Sequence, residues 1–320
     1  MGKFSENTTE QEYNKPHLSY ALVVRNLKKY YPGVKAVDGV SFDIPVGQIV
    51  SILGPNGAGK TTTIEIIEGL RKKDEGDITY FDTYSDVTDE VKDRIGVCFQ
   101  ENFLFEDLTV YETLKLFSSL YSKKVDLNEI METFELQEKR KTLVKHLSGG
   151  QKQRLSVALA FVNDPDLIFL DEPTVGLDPH SRRHLWEIIL NFKHKGKTIV
   201  LTTHYIDEAH QLSDKVYIMD QGKIIAKGSP QELIVASGLN SIIEFPKEYL
   251  KVFQDFINEK GEFNGGFEGT ILEAGEYVYF YVQDSVAAIE KLLENGVYNF
   301  VVRHPTLEDV FLKLTGRKIS

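Results

Sequence analysis

The chain has 320 residues and 42% hydrophobic content, enough for one large and one small folded unit. A formal net charge of −11 argues against nucleic acid as the main partner. The single cysteine, Cys98, excludes an internal disulfide and fits a reducing compartment.

Residues 1–20 are polar, lack the apolar run of a signal peptide and read as a disordered tail. Runs at 22–27, 40–44 and 48–53 read as strands separated by Pro and Gly turns. The third leads straight into Gly54-Pro55-Asn56-Gly57-Ala58-Gly59-Lys60-Thr61-Thr62. Residues 61–70 then read as a helix that stops at a charged turn over 71–76, and 91–99 return to the sheet. From 101 to about 146 the pattern is helical and charged, clearest at 110–121 and 127–134. A helix follows Gln151. The continuous apolar run 167–170 suits a central parallel strand, and 197–203 is another strand. Runs 215–219 and 223–226 flank Asp220-Gln221-Gly222, a hairpin turn. No stretch approaches the ~20 apolar residues of a membrane span, so a role at a membrane requires spans from another chain.

The character changes near 237–240. Strand 241–245, helix 247–259, strands 269–273 and 277–282, helix 285–294 and strand 299–303 follow, in the β-α-β-β-α-β order of a ferredoxin-like unit. A last helix over 306–314 puts Leu307, Val310, Phe311 and Leu314 on one face.

Three motifs carry chemistry. Gly54 to Thr61 matches G-x-x-x-x-G-K-[ST] between a strand and a helix, the setting of a phosphate-binding loop. Its glycines let the backbone approach an anion, Lys60 suits the β- and γ-phosphates, and the Thr61 hydroxyl suits Mg²⁺. The strand at 167–170 ends in Asp171 and Glu172, which puts both carboxylates at the sheet edge where α/β folds bind ligands. Asp171 suits Mg²⁺ through water, and Glu172 suits polarisation of an attacking water. Leu147-Ser148-Gly149-Gly150-Gln151 supplies a serine and two glycines at a helix start, able to cover a γ-phosphate that the loop leaves exposed. His180 and His184 lie four apart without a third ligand and read as solvated residues.

With these motifs in order, the chain over about 22–233 resembles the ATP-binding subunits of ABC transporters. The resemblance implies an α/β fold: a P-loop NTPase (RecA-like) core with an antiparallel β subdomain and a helical subdomain. The ATPase unit then covers 21–236, with helices at about 101–165, and a small α+β ferredoxin-like unit covers 241–320. It also implies ATP and Mg²⁺. Gln100 matches the glutamine that reaches Mg²⁺ and water and senses the membrane partner. Val175-Gly176-Leu177-Asp178 matches the D-loop, with Asp178 its acid. His204 matches the switch histidine, and Tyr31 the aromatic that stacks on adenine, with Tyr30 its competitor. The implied catalytic set is Glu172, His204, Gln100 and Lys60. The nucleotide contacts are Tyr31, Gly54, Pro55, Asn56, Gly57, Ala58, Gly59, Lys60, Thr61, Thr62, Ser148, Gly149, Gly150, Gln151 and Asp178. The metal ligands are Thr61, Gln100 and Asp171.

The implied assembly is a head-to-tail dimer with ATP between the loop of one subunit and Ser148–Gly150 of the other. Gly176-Leu177-Asp178-Pro179 and the ending from Pro305 to Gly316 resemble the daunorubicin-resistance type, which pairs with ABC-2 permeases, mostly exporters. That implies a peripheral protein on the cytoplasmic side of the membrane, with segment 101–121 and its Phe103, Leu104 and Phe105 as the docking surface. A soluble ABC ATPase of assembly, as in iron–sulfur cluster assembly, is the alternative, and its partner discriminates it. Translation-factor and DNA-repair ATPases of the same core carry two cassettes or long coiled-coil insertions, and this sequence has neither.

Overall fold

Two long strands, β1 (Tyr20–Tyr31) and β2 (Val34–Pro45), open the fold as an antiparallel pair joined through Pro32-Gly33. The computed structural model describes residues 19–100, 104–250, 269–282 and 285–316. The expected tail at 1–20 lies outside them up to residue 18, and its last residue, Tyr20, belongs to β1. β3 (Ile49–Leu53) runs into the glycine loop and α1 (Lys60–Ile67). β4 (Glu75–Tyr80) then returns to pair with β1, giving a three-stranded antiparallel sheet β2-β1-β4. Next come α2 (Asp89–Lys92), β5 (Ile95–Cys98), α3 (Val110–Ser119), α4 (Leu127–Thr133) and α5 (Gly149–Leu159). β6 (Leu167–Asp171), α6 (Pro179–His194), β7 (Thr198–Thr203), α7 (Ile206–Leu212), β8 (Lys215–Asp220), β9 (Lys223–Gly228) and α8 (Pro230–Ala236) complete the larger part.

The main sheet has the order β5-β6-β7-β3-β8-β9. Its pairs are parallel except β8 with β9. Every residue of β3, β6 and β7 is buried, in keeping with the continuous apolar run read at 167–170. One face packs on α1 and the hairpin sheet through Phe42, Ile64, Ile67 and Tyr217. The other packs on the helices after β5, where Phe134, Phe161 and Phe192 cluster and the rings of Phe161 and Phe192 lie 3.9 Å apart. The buried threonines of β7 find partners: Thr198 Oγ1 accepts from Gly47 N (3.0 Å) and Thr203 Oγ1 from Tyr205 N (2.9 Å).

Several elements differ from the sequence reading, for local reasons. β1 continues past Leu27 to Tyr31, and Asn26 takes a left-handed φ of 48° at an irregularity in the pairing. The expected strand at 91–99 is instead α2 followed by β5. Thr88 caps α2 through Val91 N, and Asp89 and Glu90 suit its first turn. β4, expected as turn and beyond, is an edge strand whose Gly76 and Asp77 hide its alternation. α8 was legible in Ser229-Pro230 and Glu232, a capping box with Pro at the first turn.

The smaller part has β10 (Ser241–Pro246), β11 (Gly269–Ala274), β12 (Tyr277–Val282), α9 (Ser285–Glu294), β13 (Val301–Arg303) and α10 (Leu307–Thr315). Its antiparallel sheet runs β11-β12-β10-β13, the strand order of a ferredoxin-like unit. The helix expected at 247–259 lies outside the described residues from 251 onward. α10 packs on the ATPase-side elements, with Leu307, Val310 and Phe311 joining Ala209, Val216, Ile218 and Leu233. Arg303 holds Asp309 through Nη1 (2.6 Å) and Nη2 (2.8 Å), and Asp309 also accepts from Thr306 N (2.7 Å). Phe311 is fully buried in this joint. Phe311→Ala is expected to cost about 3–5 kcal/mol of stability in urea denaturation of the full chain.

Candidate nucleotide site

The glycine loop sits between the end of β3 and the start of α1 because two of its glycines touch backbone from other strands. A Cβ on Gly54 would lie 2.2 Å from Met219 O, and one on Gly59 (φ 100°) 2.1 Å from Ala36 O. Gly222 N donates to Ala58 O (2.9 Å) and Asp38 N to Gly222 O (2.8 Å), so β2 and the β8–β9 turn clasp the loop from outside. The Asp220-Gln221-Gly222 hairpin thus has a second function that its turn chemistry did not reveal.

A cavity of about 920 Å³ opens over this loop. It brings together Asn56, Gly57, Gly59, Lys60, Thr61, Thr62, Gln100 and Glu172. Lys35, Asp38, Gln221 and Lys223 also line it, and no motif had flagged them. Lys60 Nζ donates to Gly54 O (2.8 Å) and Pro55 O (3.1 Å), folded back into the loop. Burial pulls its pKa down, against Glu172 and Asp171, which pull it up.

The carboxylates are set by strand register. Asp171 pairs opposite Thr202, and the Thr202 hydroxyl bonds its Oδ1. Burial pushes the Asp171 carboxyl up from its ordinary value. Glu172 has φ 48°, a left-handed conformation that costs a non-glycine residue on the order of 1 kcal/mol. Its N donates to Thr202 O (3.0 Å), so the chain leaves the strand at this residue with one ladder bond still made. The Glu172 side chain is buried between two groups from other segments. Gln100 Nε2 donates to Oε2 (3.2 Å), and His204 Nδ1 lies 3.1 Å from Oε1. Sequence positions 100, 172 and 204 thus meet at one carboxylate.

A smaller cavity of about 420 Å³ adjoins, lined by Thr61, Glu65, Glu68, Leu70, Phe99, Gln100 and Asp171. Thr61, Gln100 and Asp171 offer a hydroxyl, an amide oxygen and a carboxylate, the hard oxygen donors Mg²⁺ takes alongside phosphates and water. No cluster of three or more His, Cys, Asp or Glu suited to a metal occurs among the described residues.

Other expected contacts lie elsewhere. Ser148 caps α5: its Oγ accepts from Gln151 N (3.3 Å), and Gln151 Oε1 accepts from Ser148 N (3.0 Å). Ser148 and Gly149 are exposed, a Cβ on Gly149 would meet nothing within 4 Å, and neither residue lines the chain's own cavity. Asp178 caps α6, accepting from His180 N, Ser181 N and the Ser181 hydroxyl, which hold its carboxyl below the usual range. Its bonds are all to its own helix. Neither tyrosine lines the cavity. Tyr31 is held away by Arg71, whose Nη1 donates to its hydroxyl (2.6 Å), and Tyr30 donates to Asp38 Oδ1 (2.6 Å). Of the two, Tyr30 contacts a cavity residue, against the register that favoured Tyr31. His184, read as solvated, packs 3.3 Å from Glu135.

The loop, the strand-end carboxylates and the capped helix match an ABC transporter family over residues 37–175. Residues 266–316 match the C-terminal domain of nodulation factor export protein NodI. The Nod factor export ATP-binding protein I of Cupriavidus metallidurans is 35% identical over 304 residues, 93% of this chain and 98% of that protein. Its counterpart in Burkholderia orbicola is 36% identical over 302 residues, 92% of this chain and 97% of that one. The chain belongs to the ATP-binding subunits of ABC transporters. Solved relatives agree with the fold. An ATP-binding subunit of an ABC transporter superposes with TM-score 0.63 at 30% identity, over 68% of this chain and 93% of its own. The cassette MJ0796, in a dimeric post-hydrolysis state bound to ADP and phosphate, has TM-score 0.59 at 28% identity, over 65% and 98%.

Glu68, at the C-cap of α1, shares the smaller cavity. Burial, then Asp171 and Glu65, push its carboxyl from 4.5 up to about 8. A raised acid pKa means the folded chain holds this proton more tightly than the unfolded chain. The favourable contribution is therefore full below about pH 4.5 and is lost as pH rises to about 8. Glu68→Gln is expected to leave stability near pH 4.5 unchanged and to raise it at pH 8, read as urea midpoints at both values.

Proposed function

We propose that two copies of this chain close head to tail around two ATP molecules, and that their hydrolysis powers export through a separate membrane permease. One observation carries the dimer: the exposed Ser148–Gly149 helix start stands outside the cavity that holds the rest of the chain's phosphate machinery. A helix N-terminus with a free glycine surface suits an anion presented by another molecule. A solved relative, the cassette MJ0796, is itself dimeric with ADP and phosphate bound, which supports a dimer.

In this reading the backbone N–H groups of residues 54–62 wrap the phosphates, and Lys60 exchanges the carbonyls of Gly54 and Pro55 for phosphate oxygens. Thr61, Asp171 and Gln100 hold Mg²⁺, which neutralises charge on the phosphates. Glu172 accepts a hydrogen bond from the attacking water and orients it. Gln100 and His204, already against its two oxygens, hold that carboxylate in line. The partner's Ser148–Gly150 start supplies donors to the γ-phosphate and excludes water, so charge stabilisation is complete only in the closed dimer. Adenine stacks on one aromatic beside the turn at Gly33 that borders the cavity: Tyr31 by sequence register, or its competitor Tyr30, which bonds the cavity residue Asp38.

Export follows the relatives named for Nod factor export, which weigh against a soluble assembly factor. No helix among the described residues is long and apolar enough to cross a membrane. The permease, of ABC-2 type, therefore supplies the spans, and this chain sits on the cytoplasmic face. Its docking surface is a groove of about 800 Å³ between α1, α2, β5 and α3, with exposed Phe99 and Leu120 on its wall. Leu104 lines it, Phe105 packs on Phe117, and Phe103 lies outside the described residues.

Glu172→Gln is expected to bind ATP and accumulate as a dimer in size-exclusion chromatography while turnover falls at least a hundredfold; turnover at the parent rate would remove Glu172 from this role. Mixed dimers test the shared site. A Ser148→Arg subunit paired with a Lys60→Ala subunit loses one site through both changes and keeps the other intact, whereas both changes on one subunit disable both sites. An inactive first heterodimer beside a second that keeps one working site would sink the shared-site reading.

A further inference from the structure

We infer that the floor of the docking groove selects a permease segment carrying one basic side chain, a lysine or arginine, that seats against Glu68. The inference rests on the reading that this groove receives the permease. Glu68 lines both the groove and the smaller cavity behind it, so it stands where the two meet. It is 9% exposed, and its carboxylate has no hydrogen-bond partner among the described residues. Burial without a partner makes its ionised form costly, and a cation brought against it relieves that cost.

The neighbouring charges are already engaged. Glu65 is bound by Arg71 (2.7 Å), Asp171 by the Thr202 hydroxyl, Asp89 by Lys92 (3.0 Å), and Asp93 accepts from Ser122 N (3.3 Å). Lys92, the one basic residue among the described residues of the groove wall, is thus turned to Asp89. The charges that act on Glu68 are Asp171 and Glu65, both negative. The spot therefore has a negative potential, an acid with open acceptors and no cation of its own. Around it the wall is apolar: Leu70, Ile95, Val97, Phe99, Leu104 and Leu120. A matching segment is apolar on its flanks and cationic at one point. A wholly apolar occupant would leave Glu68 buried and still unpaired, the costlier arrangement.

The same contact gives the groove a chemical link to catalysis. A cation at Glu68 changes the field at Asp171, one of the candidate Mg²⁺ ligands on the same small cavity. Seating of the permease would then be felt at the nucleotide site without a moving part between them.

The test measures binding of the purified full chain to inverted membrane vesicles from its source, stripped of peripheral proteins with urea. Glu68→Gln keeps shape and hydrogen bonding but cannot become an anion. Leu120→Arg alters the exposed groove wall, where Leu120 is 72% exposed. Melting temperatures of the soluble variants check folding. The expected result is at least a tenfold loss of affinity for each variant, with Glu68→Asp recovering part of it. Loss for Leu120→Arg with parental binding of Glu68→Gln would overturn the basic anchor and leave the docking groove standing. Parental binding of both would overturn the groove, and the anchor with it. Loss confined to Glu68→Gln would also overturn the proposal, by assigning Glu68 to something other than a groove contact.

Discussion

The parallel pairing of β6 with β7 and of β7 with β3 is the constraint on which the site depends. It aligns Asp171 with Thr202 and Leu53 with Thr203, so three strands end together at one edge. The glycine loop, the two acids and His204 all leave the sheet from that edge. A slip of one residue would turn every side chain of a strand to the opposite face. Burial on both faces makes such a slip expensive, because these strands present apolar residues and a few polar ones, Ser51, Asp171 and the threonines, whose side chains already have partners. The precision of the catalytic geometry is inherited from the packing of the core.

Around that frame, the charged residues largely serve intramolecular contacts. Arg140 stacks on Tyr111 with 3.8 Å between guanidinium and ring, and Arg182 on Tyr205 at 4.3 Å. Arg71 ties Glu65 to Tyr31. Glu208, wholly buried after the His204 loop, accepts from Trp186 Nε1 (3.1 Å), and burial raises its pKa. Arg71, Arg140 and Arg182 are therefore spent on fixing aromatic rings. The acids without a partner are then informative, because burial of an unpaired carboxyl is the exception.

Much of the site was legible because its motifs are local. The glycine loop needs glycines where Met219 and Ala36 carbonyls come within contact, and only a glycine there leaves room. The helix start at Ser148 declares itself through Gln151 three residues on, a capping box closed within four residues. Strands with unbroken apolar runs were equally plain. The elements that escaped were short or edge-placed. β4 has one side open to solvent and carries Gly76 and Asp77, and α2 is a single turn whose Val91 looks like the start of a strand. Lys35, Asp38 and Gln221 carry no motif and become cavity walls only through the hairpin's approach to the loop.

What the sequence determined by itself was the chemistry: an anion loop, two carboxylates at a strand end, and a helix start able to bind a phosphate. These follow from backbone rules that act over a few residues. Only the tertiary structure decided which of them meet. It joined Gln100, Glu172 and His204 at one carboxylate, left Ser148–Gly149 facing outward, and held Tyr31 on Arg71. It also docked α10 on α7 and α8, and buried Glu68 between the groove and the smaller cavity. Those outcomes depend on contacts between residues tens to more than a hundred positions apart. Burial and pairing at such distances are set by how whole layers pack, and no local pattern encodes them.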